Sequence, residues 1–217
     1  MELLLENVAC RRSGRLIFAG LSARVPAGGA LMLRGPNGAG KSTLLRAIAG
    51  LLPATGRIRL GDRDIAAEPG AAAEMVAYAG HLDPVKPQLT VGENIAFWAR
   101  LLGAPRAAEA LDTLALTPLA KRPARFCSAG QRRRLGLARL FLAERPLWLL
   151  DEPLTSLDRE SAHAFTKALE AHRAAGGLVV AATHADLGLT GAEELHLAPA
   201  PPQQDLAEDP FLAGDWG

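Results

Sequence analysis

A glycine-rich segment near the N-terminus restricts what this sequence can fold into more than any other feature. It reads GPNGAGKST over residues 35–43, which matches the pattern G-x-x-x-x-G-K-[ST]. An apolar strand candidate at 30–33 comes directly before it, and a helix candidate at 42–52 follows. Because the backbone N–H groups of such a loop can surround phosphates at the start of a helix, the segment predicts an α/β fold that binds a nucleotide.

The residues of this loop have distinct expected roles. Lys41 supplies a positive charge to the β- and γ-phosphates, and the Ser42 hydroxyl is a ligand for Mg²⁺. The nucleotide-contacting residues that the pattern predicts are Gly35, Pro36, Asn37, Gly38, Ala39, Gly40, Lys41, Ser42 and Thr43. The pattern predicts how phosphates are held and leaves the purpose of the binding open.

A second candidate site feature is the segment LWLLDE at residues 147–152, an apolar strand that ends in two carboxylates. Ligands of parallel sheets bind at the carboxyl ends of the strands. We therefore expect Asp151 to hold Mg²⁺ through its hydration shell and Glu152 to polarise a water that attacks the γ-phosphate. Alone, the segment also fits a strand that runs into an acidic turn; the phosphate loop favours the catalytic interpretation.

The middle of the chain has a different pattern. It is helical from about 90 to 142, with capping-box spacing at Thr90 and Glu93 and again at Ser128 and Gln131. Beyond it, a strand at 147–150, a helix at about 159–175 begun by Asp158 and a strand at 178–182 predict a parallel sheet. We predict one domain over 1–197 with a helical insertion at about 82–142, followed by a tail at 198–217.

Composition and charge exclude several classes of function. The chain has 217 residues, with 24 Lys and Arg against 23 Asp and Glu. This balance predicts no nucleic acid partner, because proteins that bind phosphate backbones usually carry a basic excess. The longest apolar runs are far shorter than the ~20 residues of a membrane-spanning helix, and no signal peptide is evident, so we expect a cytosolic location. Cys10 and Cys127 are interpreted as buried, reduced thiols.

Three further motifs resemble those of ABC-transporter ATPases. The segment CSAGQ at 127–131 resembles the LSGGQ signature, SLD at 156–158 resembles the D-loop, and TH at 183–184 resembles the switch histidine. Alone, SAGQ is also a good helix N-cap, and a histidine at a strand end is more often a core or surface residue. Their order relative to the phosphate loop and the Asp-Glu strand favours the family resemblance, which covers about 35–184.

The resemblance implies an α/β fold: a P-loop NTPase ABC nucleotide-binding domain with a mixed sheet, an N-terminal β lobe and a helical signature subdomain. It implies ATP and Mg²⁺ as cofactors and a head-to-tail homodimer that clamps ATP between the phosphate loop of one subunit and the signature of the other. Glu152 and His184 are then catalytic, and Asp158 communicates between subunits. The signature residues that bind ATP across the interface are Ser128, Ala129, Gly130 and Gln131.

Two positions depart from the family pattern. Arg12 stands where an aromatic residue usually stacks on adenine, and a guanidinium can also stack on a base. His81, in the segment YAGH at 78–81, replaces the glutamine of the Q-loop. We expect His81 to contact Mg²⁺ or its water, so the predicted metal set is Ser42, His81 and Asp151.

A narrower resemblance is to the ATP-binding subunits of cytochrome c maturation haem exporters. It depends on His81, the signature followed by three arginines at 132–134, the segment KPQLTVGEN at 86–94, the compact length and the closing DPFLAGDW at 209–216. It implies a peripheral location on the cytoplasmic face of the bacterial inner membrane, beside integral membrane subunits, where ATP hydrolysis powers haem export or release for c-type cytochromes.

Other interpretations stay open at this point. The chain also fits an ABC transporter ATPase for another small substrate, or a soluble ABC-type regulatory ATPase. No direct haem ligand is evident, since His163 and His172 are nine residues apart on one predicted helix and lack the i, i+4 spacing of a metal pair. The arginines at 132–134 are predicted to form a solvated or partner-facing helix surface.

Overall fold

The computed structural model describes residues 1–68, 70–104 and 107–198. Its N-terminal part is an antiparallel sheet of four strands in the order β2-β1-β4-β5. The long hairpin of this sheet turns at Ser13 and Gly14 and has apolar side chains on its inner face, which accounts for the alternating pattern of the sequence. The strands are β1 (Leu3–Arg12), β2 (Arg15–Val25), β4 (Thr55–Leu60) and β5 (Arg63–Asp64).

The second sheet is parallel and has five strands. They are β3 (Ala30–Arg34), β6 (Val76–Ala79), β7 (Leu147–Asp151), β8 (Leu178–Ala182) and β9 (Glu193–His196), in the order β6-β7-β8-β3-β9. Every residue of β7 and β8 is buried, as continuous apolar strands between helices should be. The mixed α/β fold and the parallel pairing predicted from the sequence are confirmed, and the carboxyl ends of β3, β7 and β8 meet at one edge.

Helices pack against both faces of the parallel sheet, and the helices from the middle of the chain share one apolar core with it. The cap residues predicted from the sequence are confirmed: Thr90 and Ser128 each form a capping box, and Asp158 accepts a hydrogen bond from the backbone of Ser161. The helices are α1 (Lys41–Ile48), α2 (Ala71–Met75), α3 (Val91–Leu102), α4 (Ala107–Thr113), α5 (Ala129–Ala143) and α6 (Arg159–Ala174), with 3₁₀ turns at Thr117–Leu119 and Ala124–Phe126.

Some predicted boundaries and elements differ from the structure. The helix predicted over 42–52 ends at Ile48, because the chain leaves the helix at Gly50, which has a left-handed conformation. Strands β6 and β9 were not predicted. Cys10 and Cys127 are both free and buried, as expected. None of the helices in the three described ranges has the length and apolar character needed to cross a bilayer. Of the predicted tail, 199–217 lies outside the described residues.

His172 packs the end of α6 against strand β7, the second strand of the parallel sheet. Its ring stacks on the indole of Trp148, with ring centroids 4.0 Å apart and an interplanar angle of 11°. Burial of the imidazole lowers the pKa of His172 below its ordinary value of 6.5. His163, by contrast, is exposed on the same helix. His172 is therefore an uncharged packing residue at neutral pH.

Acidification is expected to destabilise the fold through His172. Because its pKa is lower in the folded state, the unfolded chain binds the proton more readily, and stability falls as the pH drops through 6.5 towards the folded-state value. The variant His172→Phe keeps a ring against Trp148 and should flatten this pH dependence. Denaturant unfolding at several pH values between neutral and acidic measures it, with His163→Phe as the matched control. Equal pH slopes for wild type and His172→Phe would contradict the expectation.

Candidate nucleotide-binding and hydrolysis site

The phosphate loop joins β3 to the start of α1. Gly35 has a φ of 136°, and a Cβ there would lie 2.3 Å from the carbonyl oxygen of Leu197, so only glycine fits. Gly40 stands at the N-terminus of α1 with a φ of 97°, and no side chain caps this helix end. The N–H groups of the first turn are therefore available to an anion, as the sequence pattern predicts.

Lys41 is nearly buried beneath this loop. Its ammonium group donates hydrogen bonds to the carbonyl oxygens of Gly35, at 2.6 Å, and of Pro36, at 3.0 Å. The residue is 8% exposed, and these hydrogen bonds hold its charge against the loop. A cation held here is suited to neutralise phosphate charge, and it also ties the two ends of the loop together.

Ser42 and Asp151 are brought together across the sheet. The Ser42 hydroxyl donates to Oδ1 of Asp151 at 3.0 Å, although the two residues are 109 positions apart in the sequence. A hydroxyl and a carboxylate are oxygen ligands of the kind that Mg²⁺ takes, usually together with phosphate oxygens and waters. The pair therefore has suitable chemistry for the predicted magnesium site.

Tyr78 is a neighbour of this pair that sequence reasoning missed. Its hydroxyl lies 3.5 Å from Oδ2 of Asp151, and burial raises the pKa of the phenol above its ordinary value, so it stays a neutral donor. The available signal was its position two residues before Gly80, on a short strand parallel to β7. Among the described residues, no hydrogen bond or ion pair joins His81 to Ser42 or Asp151; His81 is exposed and lines a small cavity with Asp83 and Arg132. Its metal contact stays a prediction.

Glu152 begins the turn after β7 in an unusual backbone conformation. Its φ is 47°, a left-handed value that costs a residue other than glycine about 1–3 kcal/mol. The Glu152 N–H donates to the carbonyl oxygen of Ala182 at 2.8 Å, and the Thr183 hydroxyl donates to Oε2 of Glu152 at 3.0 Å. The turn thus aims the carboxylate towards the end of β8.

His184 lies between Glu152 and the phosphate loop. Its Nε2 is 4.0 Å from Oε1 of Glu152 and 3.1 Å from Oδ1 of Asn37. The structure therefore brings together three residues that the sequence analysis assigned to one site from three separate segments. A carboxylate and an imidazole beside a phosphate loop can orient a water and contact a terminal phosphate.

The signature residues stand at the start of α5. The hydroxyl of Ser128 accepts a hydrogen bond from the backbone of Gln131, whose side chain accepts one from the backbone of Ser128. Gly130 lies against the D-loop, because a Cβ there would be 2.5 Å from the carbonyl oxygen of Ser156. Within the described part of the chain, no hydrogen bond joins Ser128 or Gln131 to the phosphate loop.

Asp158 and Arg12, two further residues predicted for the site, are both exposed. Asp158 is exposed and caps α6, and its hydrogen bond from the Ser161 backbone lowers the pKa of the carboxyl. Arg12 lies exposed at the tip of the β1–β2 hairpin, while Ile17 and Phe18 are the side chains of β2 that approach Gly40. The roles of Arg12 in stacking on adenine and of Asp158 between subunits stay predictions.

The prediction that the arginine run is a solvated or partner-facing surface is wrong for Arg133. Its side chain is 5% exposed and is hydrogen-bonded into the interior, and Arg134 donates to the carbonyl oxygens of Leu114 and Ala115. Arg132 donates to the carbonyl oxygen of Cys127. The reason is tertiary: α5 is surrounded by backbone carbonyls from three neighbouring segments.

The fold and this collection of side chains define an ATP-binding domain of the ABC type. The family described as ABC transporter matches residues 18–155. The cytochrome c biogenesis ATP-binding export protein CcmA of Rhodospirillum rubrum is 53% identical over 202 residues, covering 90% of this chain and 87% of that protein. The CcmA of Cereibacter sphaeroides is 49% identical over 215 residues, covering 97% and 98%. The chain therefore belongs to the ABC transporter family and, within it, to the cytochrome c biogenesis ATP-binding export proteins.

Solved structures agree on the fold. A bacterial Atm1-family ABC exporter with ATP bound superposes with a TM-score of 0.78 at 25% identity, over 91% of this chain and 37% of that chain. The ADP conformation of MJ1267, an ATP-binding cassette of an ABC transporter, superposes with a TM-score of 0.75 at 23% identity, over 91% and 87%. The predicted fold class is thereby confirmed, while the predicted ATP binding follows from membership of the ABC transporter family.

Proposed function

We propose that this chain is the ATP-hydrolysing subunit of a membrane ABC complex that powers haem export or release for the maturation of c-type cytochromes. The hydrolytic part is supported best by the arrangement of Glu152 and His184 against Asn37 of the phosphate loop. The cargo part is supported by the CcmA relatives, which match this chain over nearly its whole length. In the proposed complex this chain is a peripheral subunit on the cytoplasmic face of the inner membrane, beside the integral membrane subunits.

Hydrolysis follows from the side chains of the site. The loop amides and Lys41 bind the phosphates of ATP, and Thr183 holds the Glu152 carboxylate where it can orient a water towards the γ-phosphate. His184 contacts that phosphate from the side of Asn37. Ser42 and Asp151 would hold Mg²⁺, which when bound neutralises charge on the phosphate oxygens.

A second copy of the chain completes the site in this proposal. The signature at the start of the 15-residue helix α5 offers N–H donors and the positive end of a helix dipole. Ser128 and Gln131 make no hydrogen bond to their own phosphate loop in the described residues, which leaves this helix start available to ATP held by a partner subunit. ATP then joins two copies head to tail, and its hydrolysis releases them.

The proposal is tested by a haem stain of c-type cytochromes in bacteria that lack this chain. We expect covalent haem to be lost, to return with the native gene and to stay absent with Lys41→Ala, because ATP binding by the exporter is then weakened. Immunoblots of the restored protein control for expression. Normal staining in all strains would discard the haem assignment and leave an ABC ATPase for another small substrate, whereas sedimentation of most of the protein with ribosomes would indicate a soluble regulator.

A further inference from the structure

The guanidinium of Arg133 is buried beside the site and is fully hydrogen-bonded. Its five N–H groups all have acceptors: NH1 donates to the carbonyl oxygen of Gly80 and to Oδ1 of Asp83, both at 2.8 Å. NH2 donates to the carbonyl oxygens of Asp151, at 3.1 Å, and Glu152, at 2.9 Å, and Nε to that of Pro153, at 3.2 Å. A charge in the interior is costly unless it is paired and hydrogen-bonded, and Arg133 has both kinds of partner.

These contacts join three segments of the chain through one side chain. The first is the loop after β6, which contains Gly80 and Asp83 and carries His81 between them. The second is the run of consecutive carbonyl groups where β7 ends and the catalytic carboxylate begins. The third is α5 itself, whose first turn is the signature. Arg133 therefore links the predicted metal-side loop, the hydrolytic turn and the signature helix.

The contact with Glu152 acts on its backbone. The peptide N–H of Glu152 is held by the carbonyl oxygen of Ala182, and its carbonyl oxygen is held by NH2 of Arg133. The residue between these two hydrogen bonds has the left-handed φ of 47°. Because a conformation of this kind persists only where the surroundings determine it, the guanidinium helps to keep the Glu152 carboxylate aimed at Thr183.

One turn further along α5, Gly136 makes the space for the counterion. A Cβ at this position would lie 2.5 Å from Oδ1 and 2.9 Å from Cβ of Asp83. Asp83 can approach Arg133 only because residue 136 has no side chain. Arg133 and Gly136 are three residues apart and share a helix face, so the sequence encodes the cation and the space for its anion together.

We propose that Arg133, with Asp83 as its counterion in the space left by Gly136, is a positioning residue for ATP hydrolysis. It holds the backbone of Glu152 in its left-handed conformation, and it fixes the position of the loop that contains His81 relative to the signature helix. The inference rests on the proposed role of Glu152 in hydrolysis. It does not require Arg133 to touch the nucleotide.

The first test measures ATP hydrolysis by the chain copurified with its membrane subunits. Arg133→Lys keeps the charge and loses the planar fork, so kcat is expected to fall about 10- to 100-fold while KM for ATP changes less than about threefold. Arg134→Lys is the matched control, since Arg134 donates to carbonyl oxygens of Leu114 and Ala115 instead. A folded Arg133→Lys with the kcat of the wild type would overturn the proposal.

A second measurement separates positioning from general damage. In a Glu152→Gln background, Arg133→Lys should lower single-turnover hydrolysis by less than about threefold, because the group it positions has already lost its function. The same loss in both backgrounds would show that Arg133 does not act through Glu152. Thermal unfolding of each variant reports whether the fold is intact.

Two milder variants keep the proposal testable if Arg133→Lys does not fold. Asp83→Asn keeps the shape of the side chain and removes its charge, and Gly136→Ala pushes Asp83 away from Arg133. Each is expected to lower kcat about 3- to 10-fold, and wild-type kcat in both would overturn the inference. A wild-type complex without ATPase activity would contradict the proposed function itself, whereas an active wild type with unaffected variants contradicts only the role of Arg133.

Discussion

Glu152→Gln is expected to leave ATP binding in place and to lower ATP turnover by about 10²- to 10⁴-fold, the range for loss of a positioned general base. The substituted amide has the shape of the carboxylate, so its oxygen can still accept the hydrogen bond from the Thr183 hydroxyl. The charge that would polarise the attacking water is lost. The phosphate contacts of Lys41 and the loop amides are unchanged, which is why binding should persist.

The measurement compares steady-state ATPase activity with equilibrium ATP binding for the same complex. Glu193→Gln is the matched control, because it makes the same chemical change on an exposed residue at the beginning of β9. The control should retain both properties. Full ATPase activity in Glu152→Gln would remove Glu152 from its assigned role, and a parallel loss of ATP binding would mean that the substitution disturbs the loop rather than the chemistry.

The parts of the site that could be predicted are those encoded by contiguous motifs. The sequence of the phosphate loop predicts its conformation, because only glycine fits at position 35, where the backbone passes close to the carbonyl oxygen of Leu197. The contact between Ser42 and Asp151 follows from a general rule, since the carboxyl ends of parallel strands meet at one edge of a sheet. The same rule brings His184 next to Glu152. Capping boxes are local, and this explains why the starts of α3 and α5 were correctly predicted.

The parts that could not be predicted depend on partners distant in the sequence. Three successive arginines point in directions about 100° apart around a helix, so their order alone does not say which one faces the interior. Arg133 is buried because the carbonyl groups of Gly80 and of the end of β7 lie opposite it. Both segments are distant in the sequence, so the residues next to Arg133 do not predict its burial. Strand β9 was missed for a similar reason: its residues EELH are polar, and only pairing with β3 makes them a strand.

Lys41→Ala is expected to weaken ATP binding about 10- to 100-fold, the loss that one charge-assisted hydrogen bond of about 1.5–3 kcal/mol represents. The ammonium group is nearly buried and lies against the carbonyl oxygens of Gly35 and Pro36. Its removal takes away the positive charge facing the phosphates and leaves two loop carbonyls without their donor. The lost charge weakens the contact with the phosphates directly, and the unpaired carbonyls destabilise the loop that holds them, so binding should suffer before chemistry is reached.

Binding of a fluorescent ATP analogue to the purified complex measures this loss. The matched control is Lys167→Ala, which removes the same charge from an exposed position on α6. The two substitutions with the largest expected effects should then differ in which property they remove. Glu152→Gln gives a complex that binds ATP and hydrolyses it slowly, while Lys41→Ala gives one that lacks both properties at moderate ATP concentrations. If Lys41→Ala bound ATP like the wild type, the loop amides alone would suffice for binding, and the role of the lysine would move to the hydrolysis step.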